Sequence, residues 1–222
     1  MKVLVIGGVA AGTKTAAKLK RENRDAEVTI LTKDKDISYA GCGLPYYVGN
    51  LIETREELVV NTPAKFAGLT GVTVHTNREA VCLDPASKTL QAKNLETSET
   101  ENYSYDQLII ATGASPVIPP IPGADKKGVF KMRTPDDAVS MRTYLESENV
   151  KKAVVIGAGF IGLEVAENLK AQGLSVTVID IASQVMPNIL DPEMALYVKG
   201  ISRKRHPRNH WCKSRRNSRN DQ

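Results

Sequence analysis

Apolar residues gather in short blocks along the chain: Val3–Ile6, Val28–Leu31, Leu108–Ile110, Val154–Ile156 and Val176–Ile179. Each block is bounded by glycine, alanine or polar residues, the pattern of strands buried on both faces of a parallel sheet. Helical spacing fills the gap between the first two blocks, to about Asn23, and between the last two, to about Gln172. Both pairs therefore read as βαβ units. Between them the pattern changes. Val72–His75 and Glu79–Leu83 read as strands, and Lys88–Ala92 and Thr100–Tyr105 alternate polar and apolar residues as a small antiparallel meander does. Thr62 and Thr134 are helix caps, each followed by a proline, and a further helix opens at Asp191-Pro192 and runs to about Gly200. The predicted fold is α/β, with two Rossmann-like dinucleotide-binding units built on parallel sheets, the first carrying the meander.

The turns inside the two βαβ units supply the first candidate chemistry. Gly7-Gly8-Val9-Ala10-Ala11-Gly12 follows the first strand, and Gly157-Ala158-Gly159-Phe160-Ile161-Gly162 follows the strand ending at Ile156. Such a turn aims helix N–H groups at a pyrophosphate, and its last glycine lets helix pack closely on strand. The second copy is complete. Asp180 ends its second strand 18 residues after Gly162, where a carboxylate accepts from the 2′-hydroxyl of an adenosine ribose. A 2′-phosphate would be repelled there, so NADH is expected over NADPH. The first copy departs twice, with Val9 in place of the middle glycine and Thr32 in place of the acid.

A third stretch, Ser38-Tyr39-Ala40-Gly41-Cys42-Gly43-Leu44-Pro45-Tyr46-Tyr47, sets one cysteine between two glycines ahead of a proline-started turn. Glycines there let the backbone approach a flat ligand and take dihedrals closed to other residues, while Pro45 suits the first position of a short helix. A thiol near a helix N-terminus is favoured as the reactive thiolate. The stretch alone leaves Cys42 either as that centre or as an inert buried residue. Lys14, Lys18 and Arg21 lie at i, i+4 and i+7 of the first helix, on one face. They form either a solvated face or a dock for an anionic substrate beside Cys42.

Composition narrows the setting. No stretch of the 222 residues approaches the ~18 apolar residues of a membrane span, and Met1-Lys2 runs straight into a strand, so a cytoplasmic protein without a signal peptide is expected. Three cysteines, Cys42, Cys82 and Cys212, are too few and scattered for a disulfide framework or a zinc site. His206 and His210 with Cys212 do not form a metal site, because Pro207 breaks the helix that the spacing needs. The net charge of +5 sits in a tail: residues 201–222 hold eight of the 30 Lys and Arg and one of the 25 acids, Asp221, leaving 22 basic against 24 acidic residues before them. Basicity confined to a tail does not make the folded part a nucleic-acid binder. The tail has few sizeable apolar groups and is expected to be disordered.

Two nucleotide units with a Gly-flanked cysteine after the first resemble the flavin-dependent pyridine nucleotide-disulfide oxidoreductases. The cysteine stretch is similar to the single-cysteine branch that holds coenzyme A-disulfide reductases, NADH oxidases and persulfide reductases. The resemblance is carried by Gly7–Gly12, Ser38–Tyr47, Ala111-Thr112-Gly113 and Gly157–Glu164. It implies FAD in the first unit, with Gly7, Gly8, Val9, Ala10, Ala11 and Gly12 at the pyrophosphate. Thr32 and Lys33 would meet the adenosine end, the Val81 backbone the adenine, and Ala111, Thr112 and Gly113 the dinucleotide as the chain leaves. It implies NADH at Gly157, Gly159, Ile161 and Gly162, with Asp180 on the ribose, Phe160 as the aromatic covering the flavin and Glu164 holding the carboxamide. Cys42 would carry the covalent intermediate as a mixed disulfide, persulfide or sulfenic acid. Lys14, Lys18, Arg21 and Ser38 would bind a disulfide or coenzyme A-type substrate. Gly41 replaces a frequent asparagine of the family.

The resemblance covers residues 1 to about 199. It implies an FAD-binding part over 1–115, a Pro-rich linker over 116–127, an incomplete NAD-binding part over 128–200 and the basic tail over 201–222. Family chains are longer and end in a domain that forms homodimers, which has no counterpart here. A shifted reading frame or truncated gene is the expected origin of the tail, and an inactive fragment stands beside the NADH oxidase as an alternative to a disulfide reductase.

Overall fold

A computed structural model describes residues 1–205 and 210–213, with side chains through 200. Two compact units divide the chain: Met1–Ala40 with Glu56–Ser115, and Gly41–Arg55 with the chain from Pro116 onward. The break at Ser115/Pro116 falls at the start of the Pro-rich stretch, and the segment carrying Cys42 groups with the second unit.

In the first unit the order is β1 (Lys2–Ile6), α1 (Ala10–Glu22), β2 (Glu27–Leu31), then, after the excursion of residues 41–55, α3 (Pro63–Thr70), β3 (Thr73–His75), β4 (Arg78–Asp84), β5 (Thr89–Asn94), β6 (Thr100–Ser104) and β7 (Gln107–Ile110). The excursion itself carries α2 (Leu44–Val48). A parallel sheet runs β3-β2-β1-β7, with Val3 opposite Val28 and Gln107. Its core is the apolar blocks read from sequence: Val3, Val5, Val28 and Ile30 pack with Ala16, Ile37, Phe66 and Val72. On the other side Leu4 and Leu31 pack with Leu90, Ala92 and Tyr105 of the meander segment. Thr62 caps α3 by accepting from the Lys65 N–H, as its sequence predicts.

The antiparallel sheet β4-β5-β6 carries a polar cluster on one flank. Arg78 Nε donates to both carboxylate oxygens of Glu101 at 2.9 and 3.0 Å, the Tyr103 hydroxyl donates to the same carboxylate, and Asn94 donates at 3.2 Å. His75, expected on the surface, is half-buried with its ring centre 6.0 Å from that of Tyr103. The aromatic neighbour, invisible to local spacing, accounts for the difference.

The second unit holds α4 (Pro135–Ser147), β8 (Lys152–Ile156), α5 (Phe160–Ala171), β9 (Ser175–Asp180), α6 (Pro192–Arg205) and β10 (His210–Lys213), with a parallel sheet ordered β10-β9-β8. Thr134 and Asp137 form a reciprocal capping box on α4. β8 is less covered than its pattern predicts, exposing 62% of Val154 and 63% of Ile156. The stretch expected to be disordered from residue 201 is also partly assigned: α6 continues to Arg205, and His210–Lys213 pairs with Thr177–Asp180. An edge strand offers unpaired backbone groups to any extended chain, whatever its side chains, which composition does not reveal. Residues 206–209 and 214–222, including His206 and Pro207, lie outside the described residues. Among the described residues no helix is long and apolar enough to cross a membrane.

Candidate active site

The two glycine turns have nearly the same build. Gly7 and Gly157 take φ of 111° and 103°, a region closed to ordinary residues. Each donates its N–H at 2.8 Å to the last residues of the neighbouring strand, at Leu31 and Ile179. A β-carbon on Gly12 would meet the Gly7 carbonyl, 2.9 Å from its carbon, and one on Gly162 would meet the Gly157 carbonyl, 3.0 Å from its carbon. The tightest contact of each helix is therefore with the backbone of its turn. Neither α1 nor α5 has a side-chain cap or an acid in its first turn, which leaves the leading N–H groups without a capping side chain, the arrangement that suits an anion. Val9 serves as the N-cap of α1 at φ −102°, ψ −134°, without the positive φ that would call for glycine.

The ends of the second strands differ. Asp180 accepts from the Ala158 N–H and the Ala182 N–H, both at 2.7 Å, so the acid braces the glycine turn, a task beside the ribose contact that its motif position predicts. Sequence reasoning gives Asp180 only the second task. Its counterpart Thr32 is buried, and its β-carbon lies 3.1 Å from where one on Gly8 would be. The methyl side of threonine fills the space beneath the turn. Lys33 is exposed, and Arg78 donates its backbone N–H to the Thr32 carbonyl at 2.9 Å, bringing β4 alongside.

Val81 sits at a break in the β4–β5 register, between the pairs Ala80–Ala92 and Cys82–Gln91. Such a bulge withdraws one residue from the ladder and leaves its backbone groups unpaired. A β-carbon on Gly7 would lie 2.7 Å from the Ala111 carbonyl carbon, so Ala111 closes over the first turn, followed by exposed Thr112 and by Gly113 at φ 68°. Ser38 joins the same group by donating its N–H to the Gly8 carbonyl at 3.0 Å. It holds φ 49°, an uncommon conformation for serine. The structure thus gathers Gly7, Gly8, Gly12, Thr32, Ser38 and Ala111 around one turn. A β-carbon at positions 7, 8 or 12 would obstruct this cradle, a form suited to a bound dinucleotide.

Lys14, Lys18 and Arg21 all lie on the exposed side of α1. Lys18 is ion-paired with Glu22 at 2.6 Å, an exposed pair of little energetic weight. In the second unit Phe160 and Ile161 are exposed at the start of α5, and Glu164 is half-buried one turn on.

Cys42 is exposed, in a single 3₁₀ turn Gly41–Gly43 that leads directly into α2. Two details differ from expectation. Pro45 is the second residue of α2 rather than the first, and neither flanking glycine needs its special freedom, since Gly43 lies at φ −80°, ψ −17° and Gly41 has no positive φ. Among the described residues nothing lies within 4 Å of a β-carbon built on Gly41, which leaves room there for close approach. α2 rests on α4 and α5.

A family model described as pyridine nucleotide-disulphide oxidoreductase matches residues 1–209. The chain belongs to that family. Among curated members, it is 38% identical over 199 residues to an NADH oxidase of Methanocaldococcus jannaschii, covering 90% of this chain and 44% of the relative. It is 37% identical over 193 residues to a coenzyme A disulfide reductase of Staphylococcus haemolyticus, covering 87% and 43%. Among solved structures, an NAD-dependent persulfide reductase from A. fulgidus superposes with a TM-score of 0.91 at 39% identity, over 97% of this chain and 40% of that one. The chain spans less than half the length of these family members.

Proposed function

We propose that this chain is the part of a flavin-dependent oxidoreductase that binds FAD and NADH and passes an electron pair to Cys42 and from there to a disulfide, coenzyme A-disulfide or persulfide. The observation that carries the reading is the pair of matching glycine cradles with an exposed cysteine between them in sequence. Two dinucleotide sites and a thiol are the parts that moving two electrons from a nicotinamide to sulfur requires.

Bound FAD would supply the chemistry of taking a hydride from NADH and giving two electrons to sulfur. The chain's residues do the rest. Gly7 to Gly12 and the α1 N-terminus hold its pyrophosphate, Thr32 and Lys33 its adenosine end, the freed backbone at Val81 its adenine, and Ala111-Thr112-Gly113 close over it. Gly157, Gly159, Ile161 and Gly162 would hold NADH, with Asp180 accepting from its ribose, Glu164 taking its carboxamide and Phe160 exposed at the start of α5 beside it. The Cys42 sulfur attacks one sulfur of the substrate, forming a mixed disulfide and releasing the other half as a thiol. Reduction of that bond then releases the second half. One disulfide, one NADH and one proton become two thiols and NAD⁺.

Ser38 and the cations Lys14, Lys18 and Arg21 orient an anionic substrate. Free thiols suit the cytoplasm, and the family's homodimer is the expected assembly of the longer proteins. A second reading, oxygen reduction through a Cys42 sulfenic acid, is supported by the relative named NADH oxidase. The test is to load the purified chain with FAD and compare it with Cys42→Ser. Disulfide turnover should vanish while NADH still bleaches the flavin. Unchanged disulfide reduction would overturn the role of Cys42, and a chain that retains neither nucleotide would overturn the reading as a whole.

A further inference from the structure

α2 has five residues, too few to hold a helix alone. At its C-terminal end the following turn already donates, from the Gly49 N–H to the Pro45 carbonyl, from Asn50 to Tyr47 and from Leu51 to Tyr46, and two later helices add side-chain donors to these carbonyls and the next ones. Arg142, in the middle of α4, donates from Nη1 to the carbonyls of Tyr47, Ile52 and Glu53 at 3.4, 3.2 and 3.0 Å. Its guanidinium carbon stands 4.6 Å from the Tyr47 ring centre, and its Nε donates to Glu146 at 3.0 Å. Gln172, at the end of α5, donates its side-chain amide to the Val48 carbonyl. A cation at this end of a helix also faces the favourable pole of the backbone dipoles. α2 and the turn after it are thus fastened at the carbonyl end, and Cys42 stands in the turn entering the opposite end.

We infer that Arg142 is a positioning residue for Cys42: it collects three carbonyls of α2 and the following turn so that the Gly41–Gly43 turn presents its sulfur in one orientation. The inference rests on Cys42 being the covalent centre. Arg142 lies far from both glycine turns in sequence, belongs to none of the motifs, and needs no nucleotide to act. Without its donors, α2 would keep its own turn bonds and the Gln172 contact but lose the anchor at Tyr47, Ile52 and Glu53, and the Cys42 turn would sample more orientations.

The test uses the chain with Cys82 and Cys212 replaced by serine, so that Cys42 is its only thiol, and follows mixed-disulfide formation with 2-hydroxyethyl disulfide across pH. The Cys42 sulfur bonds to one half of the reagent, and the other half leaves as 2-mercaptoethanol. A chain retaining only Cys82, also exposed but on strand β4, gives the rate of a thiol that Arg142 does not serve. Cys42 should react faster than Cys82. Arg142→Met keeps the length of the stem but no donors and should slow Cys42 roughly tenfold, as small misplacements of a reacting group do. Arg142→Lys, which restores a cationic donor, should recover most of the rate, and Glu146→Gln should leave it unchanged.

Melting temperatures are recorded for every variant, because a merely structural role would lower them without separating Met from Lys. Should Arg142→Met not fold, Arg142→Gln takes its place and must fall between wild type and Cys82. An unchanged rate in the Met or Gln variant, or equal slowing in the Met and Lys variants, overturns the inference. A wild-type Cys42 no faster than Cys82 overturns the role of Cys42 itself, and the inference with it.

Discussion

The side chain of Asn168 on α5 occupies the space that a side chain on Gly49 would need: a β-carbon there would lie 2.7 Å from the Asn168 Cγ and 2.9 Å from its Cβ. Asn168 is buried and donates its amide to the Glu164 carbonyl at 2.8 Å, so it cannot swing aside without losing a bond. The helix leading from Cys42 and the helix of the second glycine turn therefore meet through backbone at one point and an amide at the other.

Gly49→Ala should destabilise the chain by about 1–3 kcal/mol, the usual cost of overpacking a close contact. Asn168→Ala alone should also cost stability. The double variant should lose clearly less than the two losses combined, because removing the amide makes room for the methyl. Denaturant titration of the four chains decides this, and strict additivity would show that the two residues do not share the space.

Gly12→Ala and Gly162→Ala should each disable one nucleotide site and spare the other. In both turns the added carbon would press on a backbone carbonyl, which cannot rotate away as a side-chain tip can. Flavin retention should fall in Gly12→Ala only, and NADH binding, followed by quenching of nucleotide fluorescence, in Gly162→Ala only. Loss of both ligands in either variant would mean that the damage is not local.

The two turns were legible in the sequence because their signal is local: spacing, strand pattern and a helix that starts at the last glycine. The meander was legible for the same reason. Arg142 and Gln172 were not, since their partners lie 89 to 124 residues away, and nothing in the spacing of α4 distinguishes a carbonyl-binding arginine from a solvated one. The bulge at Val81 was equally hidden, because alternation of residue types does not register one extra residue. The bracing role of Asp180 escaped because the motif assigns the acid to the ribose and is silent on the two backbone N–H groups that its oxygens accept from.

The meander should show two pH limits with different owners. Glu101 is held below its ordinary carboxylate range by the Tyr103 hydroxyl first and by Arg78 next. A depressed carboxylate contributes stability above its unfolded pKa of about 4.3 and loses it as pH falls through the lower folded value. Tyr103 is pushed up to about 12, first by burial and then by Glu101. A raised phenol contributes stability below its unfolded pKa of about 10 and loses it as pH rises toward the folded value. Glu101→Gln should flatten the acid limb, and Tyr103→Phe the alkaline limb, of melting temperature against pH. Acid limbs that superimpose for wild type and Glu101→Gln would remove Glu101 as the cause.

The final prediction separates the two tasks of Asp180. If the acid only read the ribose, replacing it with alanine would weaken NADH and relieve repulsion of the 2′-phosphate, so that NADPH binding would rise. The bonds from Ala158 and Ala182 at 2.7 Å give a different expectation. Alanine leaves the Ala158 N–H without its acceptor and loosens the turn that both nucleotides need, so NADPH should gain little. Asparagine keeps one acceptor oxygen and removes the charge, so it should keep the turn and admit NADPH better than alanine does. Losing a hydrogen bond to a charged group costs about 1.5–3 kcal/mol, which sets the drop in NADH affinity of Asp180→Ala at roughly ten- to 150-fold, with a smaller drop in Asp180→Asn. Titration of both variants with both nucleotides gives the order. NADPH affinity higher in the alanine variant than in the asparagine variant would show that bracing the turn contributes nothing to binding.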